Sequence, residues 1–468
     1  MKKIFLLAAF CVAFSLILVG CSCNKDSGVT PPTGEQNQNQ NQASKSDDGV
    51  FSYALSQDGE YYVVTGLLVT DAQAVCVPDM FGGKKIKAIG EGAFESNQAL
   101  KGIIFEAALD NIGKGAFQNC KSLTTITFNN GVCTIGEGAF EGCISIKKIT
   151  LPDNLNTIGI GAFSGCTSLK EITVPDGAVN VGERAFENCT ALTTLNLSKT
   201  VEKVGAKAFY GCSSLNSVNI FSTSIEINET AFEGCQVKKI NVPMCCIGAF
   251  DMKHLINVTI RDGEVIKKGT FSGSEDMVAL TLPSSIKKIE TEAFVNAKII
   301  SIEFSSNIKE IENGAFKGCT INSLKTDIEI LREMFLDTTI FMLDISYAQK
   351  EFLSKDLGIE ALVLRDANDF DGDIDVGPLE ILALYFENGE FDELVVENQV
   401  QMLSIHGNFS AESLYVYENA KVLEILGSEV FIKEFTSQNA ELVRATVPSS
   451  VASILPPTIG NVVITDQE

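Results

Sequence analysis

Six cysteines recur at one fixed interval and are the residues of this sequence with the most evident capacity for chemistry. They stand 23 residues apart, at Cys120, Cys143, Cys166, Cys189, Cys212 and Cys235. Thiols at regular spacing can form disulfides, bind a metal ion or pack as small apolar side chains. A metal site needs clustered ligands with partner histidines, whereas the chain has only His254 and His406. Because cysteine is among the most buried residue types, we predict free thiols in a core, with disulfides along the series as the alternative.

An acidic stretch from Asp366 to Asp375 is a second candidate site. Its oxygen-bearing side chains alternate as Ca²⁺ prefers, and Glu380 lies eleven residues after Asp369. Gly372, however, occupies the fourth position of that window, whereas an EF-hand loop needs its glycine at the sixth. We therefore expect a solvated acidic loop here, and no metal or other cofactor in the protein.

The sequence gives little support for an enzyme or for a nucleic-acid-binding protein. It lacks a Ser-His-Asp motif, a glycine-rich phosphate loop and a cluster of metal ligands. Carboxylates are plentiful, so the residue types alone leave a β-helical polysaccharide lyase open. The net charge of −24 would repel nucleic-acid phosphates. We therefore predict neither catalysis nor nucleic-acid binding.

The cysteines belong to a longer unit that repeats with them. One copy runs from Cys120 through Leu123, Ile126 and Phe128 to Phe140. Its alternating apolar residues predict a short strand with one buried face, and the glycine of a recurring Ile-Gly pair predicts a corner with unusual backbone angles. Units of this length bury their apolar faces only against each other, so the sequence predicts a repeat solenoid, mainly β.

This unit, Cys-x-x-Leu-x-x-Ile-x-Leu-Pro followed by Ile-Gly-x-x-Ala-Phe, resembles the BspA-like leucine-rich repeat of bacterial surface lipoproteins. Matching copies extend over residues 86–339. The resemblance implies a leucine-rich-repeat-type right-handed coil with units of about 23 residues. It also implies adhesion to host or neighbouring-cell surface proteins, such as components of the extracellular matrix.

The beginning of the chain has the pattern of a lipoprotein signal peptide. Lys2 and Lys3 precede an apolar run that closes on Leu-Val-Gly-Cys at Cys21, which resembles the bacterial lipobox. The resemblance implies that Cys21 becomes the lipidated N-terminus, and that Ser22 permits transport to an outer membrane. A transmembrane anchor is the alternative, but the run is short for a span of about 20 residues. We therefore expect an outer-membrane lipoprotein of the bacterial cell envelope, exposed at the surface and held by its lipid alone.

Strand-like triplets continue after the repeat motif disappears. They recur at steps close to 20 residues, beginning at Leu362, Leu382, Leu403, Leu423, Val443 and Val462. We interpret them as shorter, degenerate coils of the same solenoid, with a separate β domain as the alternative. The predicted segments are a lipoprotein signal peptide (1–20), a flexible tether (21–49), an N-terminal cap hairpin (50–85), the leucine-rich repeats (86–339) and degenerate C-terminal solenoid coils (340–468).

A polar stripe is the predicted binding surface. The penultimate residue of each predicted strand points away from the core, at Thr127, Thr150, Thr173, Asn196, Asn219, Asn241, Thr259 and Thr281. Stacked in register, these residues would form a ladder on the sheet face with which leucine-rich solenoids usually bind. Threonine is also simply a good β-former at an exposed position, so a purely structural role stays open. Aromatic candidates lie further along, at Tyr385, Tyr415 and Tyr417.

Together these features predict a surface-anchored adhesin or macromolecule-binding scaffold. Its expected partners are host or neighbouring-cell surface proteins, or glycans. Two alternatives stay open on sequence grounds. One is a carbohydrate-binding or polysaccharide-cleaving β-solenoid, and the other is a structural envelope component whose main partners are copies of itself.

The lipid anchor can be tested with an alkyne-tagged fatty acid fed to bacteria that express the protein. We expect label in the wild-type chain and none in Cys21→Ala, because the lipid is attached through the Cys21 sulfur. Cys23→Ala is a matched control that should label normally. Equal labelling of wild type and Cys21→Ala would contradict the lipobox interpretation.

Overall fold

The computed structural model describes most of the chain between residues 45 and 464. The described residues are 45–128, 131–326, 328, 332–353, 359–371, 379–396, 400–417, 420–427, 429–438, 442, 444–455, 459 and 462–464. The chain divides into two compact units, Met1–Asp251 and Met252–Glu468. In the described part of both units, strands dominate and helices are short.

The first unit is built from short strands. They are β1 (Lys45–Asp47), β2 (Phe51–Leu55), β3 (Tyr62–Leu67), β4 (Ala74–Val77), β5 (Met80–Phe81), β6 (Lys84–Ile89), β7 (Gly102–Phe105), β8 (Leu109–Ile112), β9 (Thr125–Phe128), β10 (Val132–Ile135), β11 (Thr157–Ile158), β12 (Glu171–Val174), β13 (Asn180–Val181), β14 (Thr194–Leu197), β15 (Lys203–Val204), β16 (Ser217–Ile220), β17 (Glu226–Ile227) and β18 (Lys239–Val242). A 3-10 helix spans Met244–Ala249.

Successive coils of the first unit pair in parallel on two faces. The back strands are β6, β8, β10, β11, β13, β15 and β17, which form one parallel series. The front strands are β4, β7 and β9 in one parallel sheet, and β12, β14, β16 and β18 in another. Along the front, Ile172 pairs with Leu195 and Leu195 with Val218, so one coil takes 23 residues.

An antiparallel hairpin opens the first unit, where the sequence predicts a cap. Strands β2 and β3 are joined through Asp58-Gly59, and Gly59 has a φ of 74°, in the left-handed region that favours glycine. Tyr53 is buried, and its hydroxyl donates a 2.7 Å hydrogen bond to Asp48. Strand β3 then pairs in parallel with β6, so the hairpin covers the open edge of the back strands.

The second unit contains longer strands and continues the parallel pairing. Its strands are β19 (Asn257–Ile260), β20 (Val265–Ile266), β21 (Met277–Thr281), β22 (Lys288–Ile289), β23 (Lys298–Phe304), β24 (Glu310–Ile311), β25 (Thr320–Thr326), β26 (Thr339–Ser346), β27 (Ala361–Arg365), β28 (Leu379–Val396), β29 (Val400–Tyr417), β30 (Val422–Leu426), β31 (Val430–Gln438), β32 (Arg444–Val447) and β33 (Val462–Ile464). Its helices are α1 (Ser449–Ala452) and 3-10 turns at Met252–His254, Arg332–Phe335 and Tyr347–Phe352.

The coils of the second unit shorten towards its C-terminal end. One parallel sheet follows the order β19, β21, β23, β25, β26, β27, β28, β29, β30, β32 and β33, while β31 pairs with the second half of β29. Leu362 pairs with Leu382, and Leu403 pairs with Leu423, each after 20 residues. The predicted mainly β solenoid, with shorter coils towards the C-terminus, is confirmed. The predicted segment boundaries stay a prediction.

One predicted strand does not form. Residues 146–150 adopt no strand, although Ile149 and Leu151 remain buried at the positions that the repeat assigns to them. The backbone hydrogen bond from Lys170 N to Lys147 O is still present, at 3.2 Å. The apolar side chains therefore hold this coil in place, while its backbone lacks the full ladder that defines a strand.

Stacked phenylalanine rings fill the interior of each unit. In the first unit, Phe163 lies between Phe140 and Phe186, with ring centroids 5.3 and 5.2 Å away and planes within 7° of parallel. In the second unit, Phe294 stacks on Phe316 at 4.7 Å. Rings at this distance match the spacing of parallel strands, about 4.8 Å, so backbone pairing and ring contact reinforce each other.

The glycine of the Ile-Gly pair is needed for close approach. The prediction that it adopts unusual backbone angles is wrong, because Gly136 and Gly159 are absent from the residues with positive φ. A Cβ atom on Gly159 would lie 2.7 Å from the carbonyl carbon of Gly136 in the preceding coil. Any larger residue would push the two coils apart at this corner.

Candidate functional site

The predicted polar stripe forms a hydrogen-bonded ladder on the front of the first unit. Thr173, Asn196, Asn219 and Asn241 pair in register on β12, β14, β16 and β18. Asn219 Nδ2 donates to Asn196 Oδ1 at 2.8 Å, and Asn196 Nδ2 donates to Thr173 Oγ1 at 3.3 Å. None of the four side chains is buried. These four residues, called the polar ladder below, therefore present aligned amide and hydroxyl groups to the surroundings.

The remaining stripe residues lie outside this continuous ladder. Thr127 is exposed on β9, and Thr150 is exposed in the coil that lacks a strand. In the second unit, Thr259 and Thr281 pair in register on β19 and β21. The structure therefore places all eight predicted residues at unburied positions, but only four of them belong to the continuous polar ladder.

Charged residues accompany the polar ladder along the front strands. Two residues before Thr173, the carboxylate of Glu171 lies 2.8 Å from Lys148 Nζ of the preceding coil. The hydrogen bond from Lys148 lowers the pKa of Glu171 below its usual range. Both groups are exposed, so the pair contributes little to stability and mainly sets the charge pattern of this face.

The cysteine series lies in the core. Cys143, Cys166, Cys189 and Cys212 are free and buried, and Cys319 repeats the arrangement in the second unit. Each thiol donates to the carbonyl oxygen of a phenylalanine in the preceding coil. The donor–acceptor pairs are Cys120 to Phe94 (2.9 Å), Cys143 to Phe117 (3.1 Å), Cys166 to Phe140 (3.3 Å), Cys189 to Phe163 (3.2 Å), Cys212 to Phe186 (3.2 Å), Cys235 to Phe209 (3.1 Å) and Cys319 to Phe294 (2.8 Å). These cysteines are core residues and not a reactive site.

Burial makes these thiols poor nucleophiles. Loss of solvation raises the pKa of Cys120 to about 11 and that of Cys319 to about 12. The pKa values of Cys143 and Cys166 are raised for the same reason. Because the thiolate is the reactive form of cysteine, these four thiols resist alkylation at neutral pH.

The other candidate sites lie partly or wholly outside the described residues. Cys21 falls there, as do residues 372–375 of the acidic stretch and the side chain of Tyr417. Asp371, the last described residue of the acidic stretch, accepts a 2.6 Å hydrogen bond from the hydroxyl of Tyr347. Within the described part of the chain, no three His, Cys, Asp or Glu side chains are grouped to hold a metal ion.

No helix among the described residues is both long enough and apolar enough to cross a bilayer.

Comparison with known proteins identifies the repeat. The family described as BspA type leucine rich repeat region (6 copies) matches residues 87–203, 134–248 and 246–347, which together make up more than half of the chain. The chain belongs to this family. Repeat proteins of the BspA type are generally non-enzymatic scaffolds that mediate protein binding, and the family includes bacterial surface proteins.

Solved structures similar to this BspA-type protein include bacterial leucine-rich repeat proteins. One, from Treponema pallidum, is 24% identical over 42% of this chain and 86% of its own, with a TM-score of 0.36. Another, from Bacteroides ovatus, is 19% identical over 89% and 98%, with a TM-score of 0.37. A leucine rich cell surface protein from Faecalibacterium prausnitzii is 16% identical over 92% and 96%, with a TM-score of 0.39. At these identities and scores the likeness carries no conclusion about ligands. A search of curated proteins finds no match.

The sequence did not single out one cluster on this BspA-type protein. On the second unit, the ring of Tyr385 stacks on that of His406 with centroids 4.3 Å apart, and Ser404 Oγ lies 2.8 Å from His406 Nε2. Glu424 accepts from Ser404 at 3.4 Å. Tyr385 was a candidate on its own. Ser404 and His406 alternate along one strand, and this pattern could have indicated that both side chains lie on the same face as Tyr385.

The burial of the cysteine series predicts a sharp difference in reactivity among the thiols. Native protein treated with iodoacetamide at pH 8 should be alkylated quickly at Cys245, which is exposed, and hardly at all at Cys143, Cys166 and Cys189. After denaturation without reductant, the three buried thiols should react fully. Peptide mass spectrometry resolves each site. A requirement for reductant before the buried cysteines react would show that they are cross-linked.

Proposed function

We propose that this protein is a lipid-anchored scaffold of the bacterial cell envelope that binds other macromolecules through the exposed front of its solenoid. The expected partners are surface proteins of a host or of neighbouring cells. Cys21 would carry the lipid, and residues 21–49 would serve as the flexible tether that separates the folded coils from an outer membrane. The family's general role in protein binding supports this proposal.

The observation that carries the proposal is the polar ladder. A primary amide has two donor hydrogens and an oxygen with two lone pairs, so one ladder hydrogen bond uses only a small part of its capacity. Asn196 and Asn219 are aligned by their mutual hydrogen bond, at 2.8 Å, before any ligand arrives. A partner with a matching repeat of polar groups would therefore meet a preorganised surface.

The composition of the ladder favours many modest contacts over one strong anchor. Tyrosine, tryptophan and arginine dominate the hot spots of tight protein interfaces, and none of them belongs to the ladder. Repetition along successive coils would compensate, because linked weak contacts raise the overall avidity. An extended macromolecule suits this surface better than a small ligand.

Two matched substitutions test this proposal. Asn219→Arg places a long cation in the polar ladder, whereas Asn180→Arg makes the same change at an exposed position of a back strand. The purified full chain is applied to an array of extracellular-matrix proteins and polysaccharides. For the strongest protein hit, Asn219→Arg should lower the affinity about tenfold, the effect of losing roughly 1.4 kcal/mol, while Asn180→Arg should not.

Other outcomes of the array would count against the proposal. Equal effects of the two variants would place the binding surface elsewhere. A polysaccharide that is bound and shortened, detected by a product assay, would favour the polysaccharide-cleaving alternative. Binding only to immobilised copies of the chain would favour a structural envelope component.

A further inference from the structure

Part of the outward face of the second unit, between Ser323 and Arg444 at the same strand position, carries apolar residues where the first unit carries polar ones. The residues share one position on five neighbouring strands and pair in register: Met342, Ala361, Ile381, Met402 and Val422. The corresponding position of the first unit is occupied by Glu171, Thr194, Ser217 and Lys239. A continuous apolar row on a sheet face is a common mark of an interaction surface.

A second outward position lies beside this row, and its small residues are shielded by larger neighbours. The next outward position holds Val363, Ala383, Ser404, Glu424 and Thr446, again in register. Ala383, Ser404 and Thr446 are only 7%, 4% and 8% exposed, whereas Ile381 and Tyr385 on either side of Ala383 are 38% and 42% exposed. The second position thus forms the floor of a shallow groove across β27–β32, called the transverse groove below. The apolar row is one wall, and the position of Tyr385 and His406 is the other.

The length of the transverse groove suits an extended peptide. Its floor crosses five strands, and strands lie about 4.8 Å apart, so it is roughly 19 Å long. An extended chain advances about 3.3 Å per residue, so the floor accommodates about six residues.

The floor also contains polar groups that are largely buried. Ser404 Oγ contacts both His406 Nε2, at 2.8 Å, and Glu424, at 3.4 Å. Thr446 Oγ1 is buried, and no described residue forms a hydrogen bond with it. A buried hydroxyl without a partner is costly, but this one is too enclosed to meet a peptide, so Glu424 is the polar group of the floor on which partner binding depends.

One negative charge in the transverse groove has no neutralising partner among the described residues. Asp344, at one end, pairs with Arg365 at 2.5 Å, but no lysine or arginine of the described chain pairs with Glu424. Burial lowers the pKa of His406, which disfavours an imidazolium that would offset the charge of Glu424. The floor is therefore anionic at its fourth position, Glu424, and apolar along one wall.

We propose that the transverse groove binds an extended segment of a partner protein that directs a lysine or arginine at Glu424 and packs aliphatic or aromatic side chains on Ile381, Met402 and Val422. This rests on the proposed function and specifies the chemistry of the partner. The charge of Glu424 selects a cation, and methionine adapts readily to varied apolar side chains.

The observations favour a peptide over a polysaccharide. The wall is aliphatic, and the rings of Tyr385 and His406 stack on each other within 3° of parallel, which covers faces that a sugar would otherwise use. An acidic polysaccharide would also be repelled by Glu424. A neutral glycan could donate hydroxyl hydrogen bonds to that carboxylate, but it carries no positive charge to pair with it.

The test measures the affinity of the full chain for four probes, which are either fluorescent or used as competitors. Three are nonapeptides with isoleucine and tyrosine around a central lysine, norleucine or glutamate, and the fourth is a neutral β-glucan. The lysine peptide should bind at least about tenfold more tightly than the glutamate peptide, in line with a charge-assisted hydrogen bond. Glu424→Gln should lower the affinity for the lysine peptide about tenfold. It should also abolish the preference for the lysine peptide over the norleucine peptide.

Glu412→Gln is the matched control. Glu412 lies on β29 outside the transverse groove and pairs with Lys433 at 2.6 Å, so this variant should bind the lysine peptide like wild type. Circular dichroism confirms that both variants are folded. Equal binding by wild type and Glu424→Gln, no preference for lysine, or binding of the glucan alone would overturn the proposal.

The outcome separates this inference from the proposed function. If the full chain captures a matrix protein and Glu424→Gln leaves that capture unchanged, and the peptides also fail to bind, the transverse groove is not the site while the scaffold function stands. If no macromolecule on the array binds at all, the proposed function itself fails.

Discussion

Each regular coil of this solenoid buries one phenylalanine ring between the rings of its neighbours, and the spacing of those rings sets the spacing of everything else. Phe163 is fully buried, and its backbone N–H donates to Ala185 O of the next coil at 2.7 Å. Its carbonyl accepts the Cys189 thiol. Ring, backbone and thiol thus hold successive coils at one distance, so a coil has no stable core without its neighbours.

This constraint leaves the outward positions free to carry function. Because inward side chains alternate with outward ones along each strand, an outward residue can change without disturbing the ring stack. On the first unit these positions form the polar ladder around Asn196 and Asn219. On the second unit they form the transverse groove, with Glu424 at its floor. In both units the in-register pairing of parallel strands aligns equivalent side chains in a row, but the chemistry of the two rows differs.

The 23-residue period could be predicted from the sequence because the core positions repeat. Much of the surface could not be predicted in this way. The buried phenylalanines and cysteines share one spacing, so the solenoid and the exposure of Thr173 followed directly. The role of Gly159 was misjudged, since close approach to the preceding coil leaves no trace in a single sequence. The groove around Ser404 and Glu424 was missed because the residue types at the outward positions do not repeat there and the family motif has ended. That Ile149 lies outside a strand likewise depends on backbone details that the apolar pattern does not encode.

Hydrogen exchange on Phe163→Ala tests the central claim that stability is local and passes from coil to coil. Removal of a buried phenylalanine costs about 3–5 kcal/mol, and nearest-neighbour coupling should confine that loss to the surrounding coils. Amide exchange should therefore accelerate over roughly residues 120–210 and change little beyond residue 360, while Phe221→Ala, at a partly exposed phenylalanine of the same unit, should have a small effect. A uniform acceleration along the whole chain would show a single cooperative globule and contradict the account.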